Sequence, residues 1–523
     1  MMGSNNITKP INNLKSNTWA NSWDVYKASL LTSPMNIKKI MKLGNHILSE
    51  GSLEQKMLFL EIGAMPTLAE ALTSIEEKND FFQFEMQLIR SANYTPGVLF
   101  HSRKSKYLKK ALFQFKEGNT YTKITWDKLS KNVEQFAHSL LQLSHNKPGP
   151  IAILSENRIE VVIEDVACLS YGFRNIPLQT NAPVAQLEYI LNHSDVEYLF
   201  VGTRFFLKRL EPILMNLKKL KHIIVLDEYP YSADGNVIGW QQFMSKPKTN
   251  VDLNQRINDV KLDDIATVMY TSGTTGYPKG IVFTYENIIS KRFARTLALP
   301  IGDQDSFLSF LPMYHTFGRF LELWGTIFWG ATYTFVSGSG FHNLIDDFKA
   351  IQPTVMISIP KRWQEIYERV NQTIDLKNSD LDAQKAVLQN ITGPNLKWGL
   401  SAAGYLAPEV FQFFQLHGVK LMSGYGMTEA TGGILMTPIH NYVEDSVGKA
   451  LPGIEIKLAD DGELLLRGPY VSTSYWKPDF EDIREDNWFP TEDIFKYLPR
   501  GHLQIIDRKK EIYKNSRGQT IAP

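Results

Sequence analysis

The segment Tyr270–Gly280 (YTSGTTGYPKG) combines small residues, hydroxyl groups and one cation in a way that suits the binding of an anion. Its three glycines allow backbone N–H groups to turn towards a negative charge. Lys279 adds a positive point charge. Further hydrogen-bond donors come from hydroxyl side chains at Thr271, Ser272, Thr274 and Thr275. The composition therefore predicts a phosphate-binding loop rather than an ordinary polar hairpin.

The elements that flank this loop restrict its type. Ile265–Tyr270 and Gly280–Thr284 both have strand patterns, and a helix is predicted to begin near Glu286. The loop thus joins two strands, whereas a Walker-type loop joins a strand to a helix and has a glycine before its lysine. A dinucleotide-binding fingerprint is also excluded, because Gly338–Gly340 is not followed by a third glycine at the required spacing.

The rest of the chain has the alternation that a parallel sheet requires. Apolar strands are predicted at Pro150–Leu154, Asn175–Leu178, Glu197–Val201, His222–Leu226, Gln352–Ile359, Lys397–Ser401 and Gly418–Ser423. Amphipathic helices are predicted in Thr122–Leu143, Arg158–Tyr171, Pro183–Leu191 and Phe206–Lys219. This alternation predicts an α/β fold with helices on both faces of its sheets. From about Val447 the pattern changes to short strands and turns, which predicts a small β subdomain.

Composition narrows the class of protein. A chain of 523 residues is too long for one ordinary core. Its formal net charge of +1 argues against bulk nucleic-acid binding but leaves room for a small anionic substrate. The single cysteine, Cys168, excludes an intrachain disulfide and fits a reducing compartment. Because Cys168 lies in the apolar run Val161–Gly172, it is predicted to be a buried structural thiol.

The sequence offers no secretory signal and no apolar stretch of the roughly 20 residues that a membrane span needs. A cytoplasmic location is therefore predicted. The basic, amphipathic segment Ile37–Leu48 could lie on an anionic membrane surface, which would make the protein peripheral. The favoured alternative is a surface helix that packs on the body, since Gly44 weakens the amphipathic pattern.

Thr271–Gly280 resembles the signature (S/T)SGTTGxPKG of the adenylate-forming superfamily, which includes acyl-CoA synthetases, firefly-type luciferases and peptide-synthetase adenylation domains. The resemblance implies two stacked, parallel-rich sheets with flanking helices, plus the small β subdomain. It places an AMP-binding large domain at residues 97–506, an N-terminal extension of unassigned role at 1–96, and a hinge at 507–523. It also assigns the loop to ATP, with Thr271 and Lys279 as catalytic residues. The implied nucleotide-binding residues of the loop are Thr271, Ser272, Gly273, Thr274, Thr275, Gly276 and Lys279.

Two further segments resemble elements that surround the acyl group and the adenine in this family. His315, in Leu311–Gly318 (LPMYHTFG), is expected near the reacting carboxylate, where it would gate the acyl site. Leu400–Glu409 (LSAAGYLAPE) resembles the segment that flanks the adenine, with contacts expected from Ala403, Gly404 and Tyr405. The family usually has Gly-Gly-Ala where this chain has Ala402–Ala403–Gly404, so small residues are retained with a shifted glycine.

Ser423–Glu429 (SGYGMTE) resembles the "YGxTE" element of the family. By that resemblance, Tyr425 would stack on the adenine and Thr428 would contact the α-phosphate. Glu429 would be catalytic and would hold Mg²⁺ together with phosphate oxygens, with Thr271 as a second contributor to the metal shell. Gly426 and Met427 would complete this part of the nucleotide site.

Two C-terminal segments complete the resemblance. Trp488–Ile494 (WFPTEDI) resembles "WxxTGD", in which Asp493 would accept hydrogen bonds from the ribose hydroxyls; Glu492 stands where glycine is usual. In Ile506–Glu511, Arg508 would approach the ribose or phosphate, and Lys510 would be the hinge pivot. The family's body is followed by a mobile domain that supplies a lysine for adenylation. Since the sequence ends soon after the hinge, we expect that lysine to be absent and acyl-CoA formation by the isolated chain to be impaired.

The implied activity is that of an AMP-forming acid–thiol ligase. A carboxylic acid would react with ATP and Mg²⁺ to give an acyl-adenylate, and coenzyme A would then take the acyl group. Asp507–Pro523 looks most like long-chain fatty acyl-CoA synthetases, which favours a medium- or long-chain fatty acid. Phe317–Trp329 could wall an acyl tunnel or equally be a buried helix. The alternatives are an acyl-AMP ligase that passes its product to a carrier protein, an aryl-acid or luciferase-like enzyme, and a catalytically impaired nucleotide-binding module.

Overall fold

A computed structural model describes residues 36–229, 236–245, 247, 249, 251–271, 277–338, 340–478 and 486–509, and the backbone of 513–514 and 520–521. Three sheets organise the described chain, and we name them the large sheet, the loop sheet and the small sheet. This architecture confirms the predicted α/β class with two parallel-rich sheets and a small β subdomain.

The large sheet has nine strands. In spatial order they are Lys449–Ala450, Gly432–Met436, Lys420–Met427, Trp398–Ala402, Val355–Ser358, Ser306–Ser309, Thr332–Phe335, Ala111–Glu117 and Thr120–Thr125. The strands from Lys420–Met427 to Ala111–Glu117 are parallel. Antiparallel strands close both edges.

The loop sheet has seven strands, and the small sheet has four antiparallel ones. The loop sheet runs in the order Val237–Gly239, His222–Val225, Tyr198–Val201, Ile151–Leu154, Asn175–Pro177, Ile265–Thr271 and Lys279–Thr284. The small sheet runs Glu455–Leu458, Glu463–Arg467, Phe489–Leu498 and His502–Arg508. A separate pair, Tyr513–Lys514 with Thr520–Ile521, follows it.

Helices connect the strands and cover the sheets. The α-helices are Ile37–Glu50, Leu53–Gly63, Pro66–Ala71, Ile75–Ala92, Pro96–Tyr107, Trp126–Leu143, Ile159–Tyr171, Val184–His193, Arg204–Leu214, Trp240–Phe243, Leu253–Asp259, Tyr285–Thr296, Trp324–Trp329, Phe341–Ile351, Pro360–Thr373, Leu381–Thr392 and Pro408–Leu416. A π-helix at Phe317–Leu323 and 3₁₀ turns at Thr428–Ala430 and Pro499–Gly501 complete the set.

A central group of helices links the large sheet to the loop sheet, and these helices are buried on all sides. In Ile159–Tyr171 every residue from Val161 onward is buried, and so is every residue of Phe317–Trp329. Arg319 joins the two helices through Asp165 at 2.6 Å and reaches the loop sheet through the hydroxyl of Thr267 at 2.9 Å. A helix that is surrounded by protein has no hydrophilic face to present, so its few polar groups must pair internally.

Of the two alternatives predicted for Phe317–Trp329, a wall of an acyl tunnel or a buried helix, the structure shows the buried helix. Phe317 is the one residue of that run that borders the cleft described below. Cys168 is buried as predicted, and its thiol donates to Glu164 Oε1 at 3.3 Å. Burial raises the pKa of this thiol well above its ordinary value, which suits a structural role.

The strand Lys420–Met427 is longer than the predicted Gly418–Ser423. Its extra residues, Gly424–Met427, pair antiparallel with Gly432–Met436. That pairing is a long-range contact that no local apolar pattern reveals. The predicted helix Phe206–Lys219 ends earlier, at Leu214, and Met215 is 95% exposed.

The N-terminal helices pack on the body. Ile37–Glu50 buries Ile40, Leu43 and Ile47, and a Cβ atom on Gly44 would lie 2.4 Å from the ring of Phe84. Gly44 thus permits close packing instead of weakening the helix. Arg90 pairs with Glu286 of the body at 2.6 Å. The predicted domain boundary after residue 96 stays a prediction, although the helices before it share the main core.

None of the helices in the described residues is long and apolar enough to span a bilayer.

Candidate active site

The predicted phosphate loop closes a β-hairpin at the edge of the loop sheet. Ile265–Thr271 and Lys279–Thr284 pair antiparallel, with Thr271 directly opposite Lys279. The strand–loop–strand setting predicted from the sequence is thus observed. Five predicted nucleotide contacts, Ser272, Gly273, Thr274, Thr275 and Gly276, lie outside the described residues, as does the predicted hinge Lys510.

A cleft of about 1030 Å³ lies where this hairpin, the large sheet and the small sheet meet. Ligand pockets in proteins are commonly about 300–1,000 Å³, so the cleft can hold a sizeable ligand. All predicted site residues within the described chain line it: Thr271, Lys279, His315, Ala403, Gly404, Tyr405, Tyr425, Gly426, Met427, Thr428, Glu429, Asp493 and Arg508. Ala402 and Met427 end their parallel strands here, and the carboxyl ends of such strands are where open α/β sheets bind ligands.

Asp493 is the centre of a polar group on one wall of the cleft. The antiparallel register of the small sheet places it opposite Arg508, whose Nε lies 3.3 Å from Asp493 Oδ1. The hydroxyl of Tyr425 donates to Asp493 Oδ2. Asp493 is only 4% exposed, and burial raises the pKa of its carboxyl. Because Oδ1 accepts no hydrogen bond from the described residues, it keeps acceptor capacity for a ligand hydroxyl.

Glu429 lies in the 3₁₀ turn that follows the strand Lys420–Met427. Its backbone carbonyl accepts a hydrogen bond from the Ser472 N–H at 2.6 Å, which fixes the turn. Burial raises the pKa of the Glu429 carboxyl, and the nearby cations Lys279 and Arg508 offset part of that rise. A half-buried carboxylate that lines a cleft is chemically suited to sharing a divalent cation with phosphate oxygens. Within the described residues, no cluster of three or more His, Cys, Asp or Glu side chains could hold a metal ion by itself.

His315 stands at the opposite side of the cleft, at the start of the buried π-helix. The Phe317 N–H donates to His315 Nδ1 at 3.3 Å, which assigns the proton of the neutral ring to Nε2. The side chain is exposed to the cleft, yet the surrounding protein lowers its pKa by desolvation. A neutral imidazole is therefore favoured near pH 7.

Two departures from the family's motifs coincide with unusual backbone conformations. Ala403 has a φ of 64° and Glu492 a φ of 61°, both in the left-handed region that favours glycine. The Glu492 backbone is held there because its N–H donates to Glu463 Oε1 at 2.8 Å and its carbonyl accepts from the Lys509 N–H at 2.8 Å. The loop shape next to Asp493 is thus kept without glycine, at the expense of backbone strain.

Replacing Glu492 by glycine should raise the free energy of unfolding by about 0.5–1 kcal/mol, because relief of left-handed strain exceeds the added entropy of the unfolded chain. Urea unfolding of the purified protein measures this difference. Glu492→Ala is the matched control, since it removes the same carboxylate but keeps the Cβ atom. An equal gain in both variants would show that the carboxylate, and not the backbone, is responsible.

The cleft also contains residues that the motifs did not single out. Tyr475 lines it and carries the Lys279 ammonium over its ring at 5.8 Å. Arg295 lines it from the helix Tyr285–Thr296. The run Lys291–Arg295 (KRFAR) places cations among apolar residues, a visible signal of unusual burial, but no local pattern shows which of them reaches the cleft.

The sequence profile of the family described as "AMP-binding enzyme" matches residues 100–476. The chain belongs to the AMP-binding enzyme family. This confirms membership of the adenylate-forming superfamily, as the loop motif implied. Among curated relatives of this AMP-binding chain, the peroxisomal long chain acyl-CoA synthetase 6 of Arabidopsis thaliana is 30% identical over 71% of this chain and 60% of its own length. Human long-chain-fatty-acid–CoA ligase 1 is 29% identical over 78% and 66%.

The chain spans 60–64% of the length of the two peroxisomal Arabidopsis synthetases that it matches. Solved structures resemble the fold of this AMP-binding chain. An anthranilate CoA ligase in complex with anthranoyl-AMP superposes with a TM-score of 0.71 at 21% identity, covering 82% of this chain and 80% of that one. A Bacillus subtilis o-succinylbenzoate coenzyme A synthetase, in complex with ATP and magnesium, gives 0.65 at 22% identity over 81% and 82%.

Proposed function

We propose that this protein activates a carboxylic acid with ATP and Mg²⁺ to an acyl-adenylate and transfers the acyl group to coenzyme A. The observation that carries the proposal is the convergence of the predicted motifs: residues from four distant segments, Lys279, His315, Glu429 and Asp493, line one cleft. The resemblance to long chain acyl-CoA synthetases supports the same reaction.

The mechanism follows from the charges in the cleft. Asp493 and Arg508 hold the ribose, while Tyr425 provides an aromatic face for the adenine. Lys279 and Thr428 orient the phosphates, and a carboxylate oxygen of the acid attacks the α-phosphorus as pyrophosphate leaves. Glu429 would hold Mg²⁺, which would neutralise negative charge on the phosphate oxygens. No covalent enzyme intermediate is needed, so catalysis rests on positioning and electrostatic stabilisation.

The acceptor and the acid are the finer parts of the proposal. A thiol then attacks the acyl carbonyl of the adenylate and AMP departs, with neutral His315 at the acyl end of the cleft. A medium- or long-chain fatty acid is favoured because the curated relatives are named for long-chain substrates. Aromatic acids are the second candidate, since the superposed structure that binds anthranoyl-AMP has the same fold. Work in the cytoplasm completes the proposal.

Pyrophosphate exchange tests the proposal directly. We expect a C-terminally extended form of the protein, with Mg²⁺, to exchange pyrophosphate into ATP when octanoate, laurate or palmitate is present, and to release AMP when coenzyme A is added. Benzoate and anthranilate serve as the aromatic comparison. Exchange with an acid but no thioester would favour transfer to a carrier protein, and ATP binding without exchange for any acid would favour the impaired nucleotide-binding module.

A further inference from the structure

Three cations of the helix Tyr285–Thr296 are buried in the protein interior. Lys291, Arg292 and Arg295 have exposed fractions of 0%, 2% and 2%. All residues from Asn287 to Thr296 are buried, so the helix offers no route by which these side chains could extend to bulk solvent. Long cationic side chains are almost never fully buried in proteins unless they are paired.

The described residues provide no carboxylate partner for these three cations. The Lys291 ammonium binds the Gly433 carbonyl and lies 4.1 Å above the Tyr470 ring. Arg295 donates to the Gly433 carbonyl at 3.3 Å and to Met436 Sδ at 3.4 Å. Within the described chain, Arg295 Nε and two nitrogens of Arg292, Nε and Nη1, have no hydrogen-bond partner.

The electrostatic consequence is unfavourable for the protein by itself. Burial lowers the pKa of all three groups, and mutual repulsion lowers the pKa of Lys291 and Arg292 further. Desolvation of each buried ion costs several kcal/mol, which backbone carbonyls compensate only in part. A buried arginine is ordinarily paired with a carboxylate, as Arg319 of the central helices is with Asp165 at 2.6 Å. An anion that binds beside the three cations would supply the missing partner.

Arg295 alone of the three borders the cleft. A Cβ atom on Gly433 would lie 2.5 Å from Arg295 Nη2, and one on Gly432 would lie 3.7 Å from the Thr316 hydroxyl. Gly432 and Gly433 therefore lie between Arg295 and Thr316, the residue that follows His315. Because neither glycine has a side chain, no side chain at these two positions separates the guanidinium from the cleft that Arg295 borders.

We propose that Arg295 binds a second carboxylate of the acid substrate, so that the preferred acid is a dicarboxylic acid. This inference rests on the proposed function, whose reaction it specifies further. The carboxylate that is activated loses its negative charge when it becomes an acyl-adenylate. A second carboxylate stays ionised through both half-reactions and keeps the buried guanidinium paired throughout. The contact between this second carboxylate and Arg295 is remote from the reacting carbon. Its binding energy can position the acid for attack.

Pyrophosphate exchange with matched acids tests the assignment. The parent protein should show a higher kcat/KM for dodecanedioate than for laurate. Arg295→Met should reduce kcat/KM for the diacid by about 10–100-fold, because a charge-assisted hydrogen bond is lost, and leave the value for laurate unchanged or higher. Arg295→Lys keeps the charge and should retain part of the preference for the diacid.

Thermal unfolding without ligand separates a binding role from a structural one. Arg295→Met should leave the Tm unchanged or raise it, since it removes a buried ion that has no carboxylate partner in the described part of the chain. Arg292→Met is the matched control, because it removes a buried charge from the same helix at a position that does not border the cleft. It should keep the preference for the diacid.

Several outcomes would overturn the assignment. Equal loss of activity with laurate and dodecanedioate in Arg295→Met would assign Arg295 to the reacting carboxylate or to the scaffold. A marked fall in Tm for that variant would also contradict it. If exchange occurs with monoacids but the parent protein shows no preference for diacids, the inference fails and the proposed function stands. If no acid of either kind supports exchange while ATP still binds, the proposed function fails.

Discussion

Replacing Glu429 by glutamine is expected to lower the rate of acyl-adenylate formation by about 100-fold or more, because a metal ion bound there is worth several kcal/mol of charge stabilisation. The substitution keeps the size of the side chain and removes only its charge. Steady-state pyrophosphate exchange at saturating ATP measures the effect. Glu409→Gln is the matched control, since this glutamate is exposed and lies outside the cleft lining.

Stability without ligand distinguishes this role of Glu429 from a structural one. Burial raises the pKa of the Glu429 carboxyl in the folded protein above its value in the unfolded chain. Such a carboxylate lowers the free energy of unfolding once the pH exceeds its pKa in the unfolded chain. Its removal should therefore leave the Tm at neutral pH unchanged or higher. The increase in Tm that Mg²⁺ and ATP produce in the parent protein should be smaller in the variant. A large fall in the Tm of the ligand-free variant would contradict the metal-binding role.

Replacing Asp493 by asparagine is expected to raise the KM for ATP by about 10–100-fold with a smaller change in kcat, since the ribose contact is made in the ground state and the transition state alike. Asparagine keeps one acceptor oxygen but loses the negative charge. It also loses the ion pair with Arg508, whose Nε lies 3.3 Å from Asp493 Oδ1.

Deoxynucleotides identify the contact that Asp493 makes. The parent protein should discriminate against 2′-deoxyATP and 3′-deoxyATP, and Asp493→Asn should discriminate less, because the hydroxyl has lost its charged acceptor. Each deoxynucleotide gives one cycle of four kcat/KM values, from which the coupling between that hydroxyl and residue 493 follows. Unchanged discrimination in the variant would show that Asp493 does not bind the ribose.

The sequence by itself determined what chemistry to expect. The composition of Tyr270–Gly280 predicted a phosphate-binding loop, and the resemblance of the segments around Glu429 and Asp493 to family motifs implied a nucleotide site. Side-chain chemistry is local, so a motif carries it in full. The alternation of apolar strands with amphipathic helices likewise predicted the α/β class, since the side-chain periods of helices and strands are local properties.

Only the tertiary structure decided how these residues meet and what surrounds them. The pairing of Gly424–Met427 with Gly432–Met436, which lengthens the strand that leads to Glu429, depends on a long-range contact. The left-handed backbone of Glu492 is imposed by partners on neighbouring strands, although glutamate itself disfavours it. The burial of Arg295 without a carboxylate partner among the described residues is a property of the whole core. These features arise from packing between distant segments, which sets the balance of strain, desolvation and pairing and which no local pattern encodes.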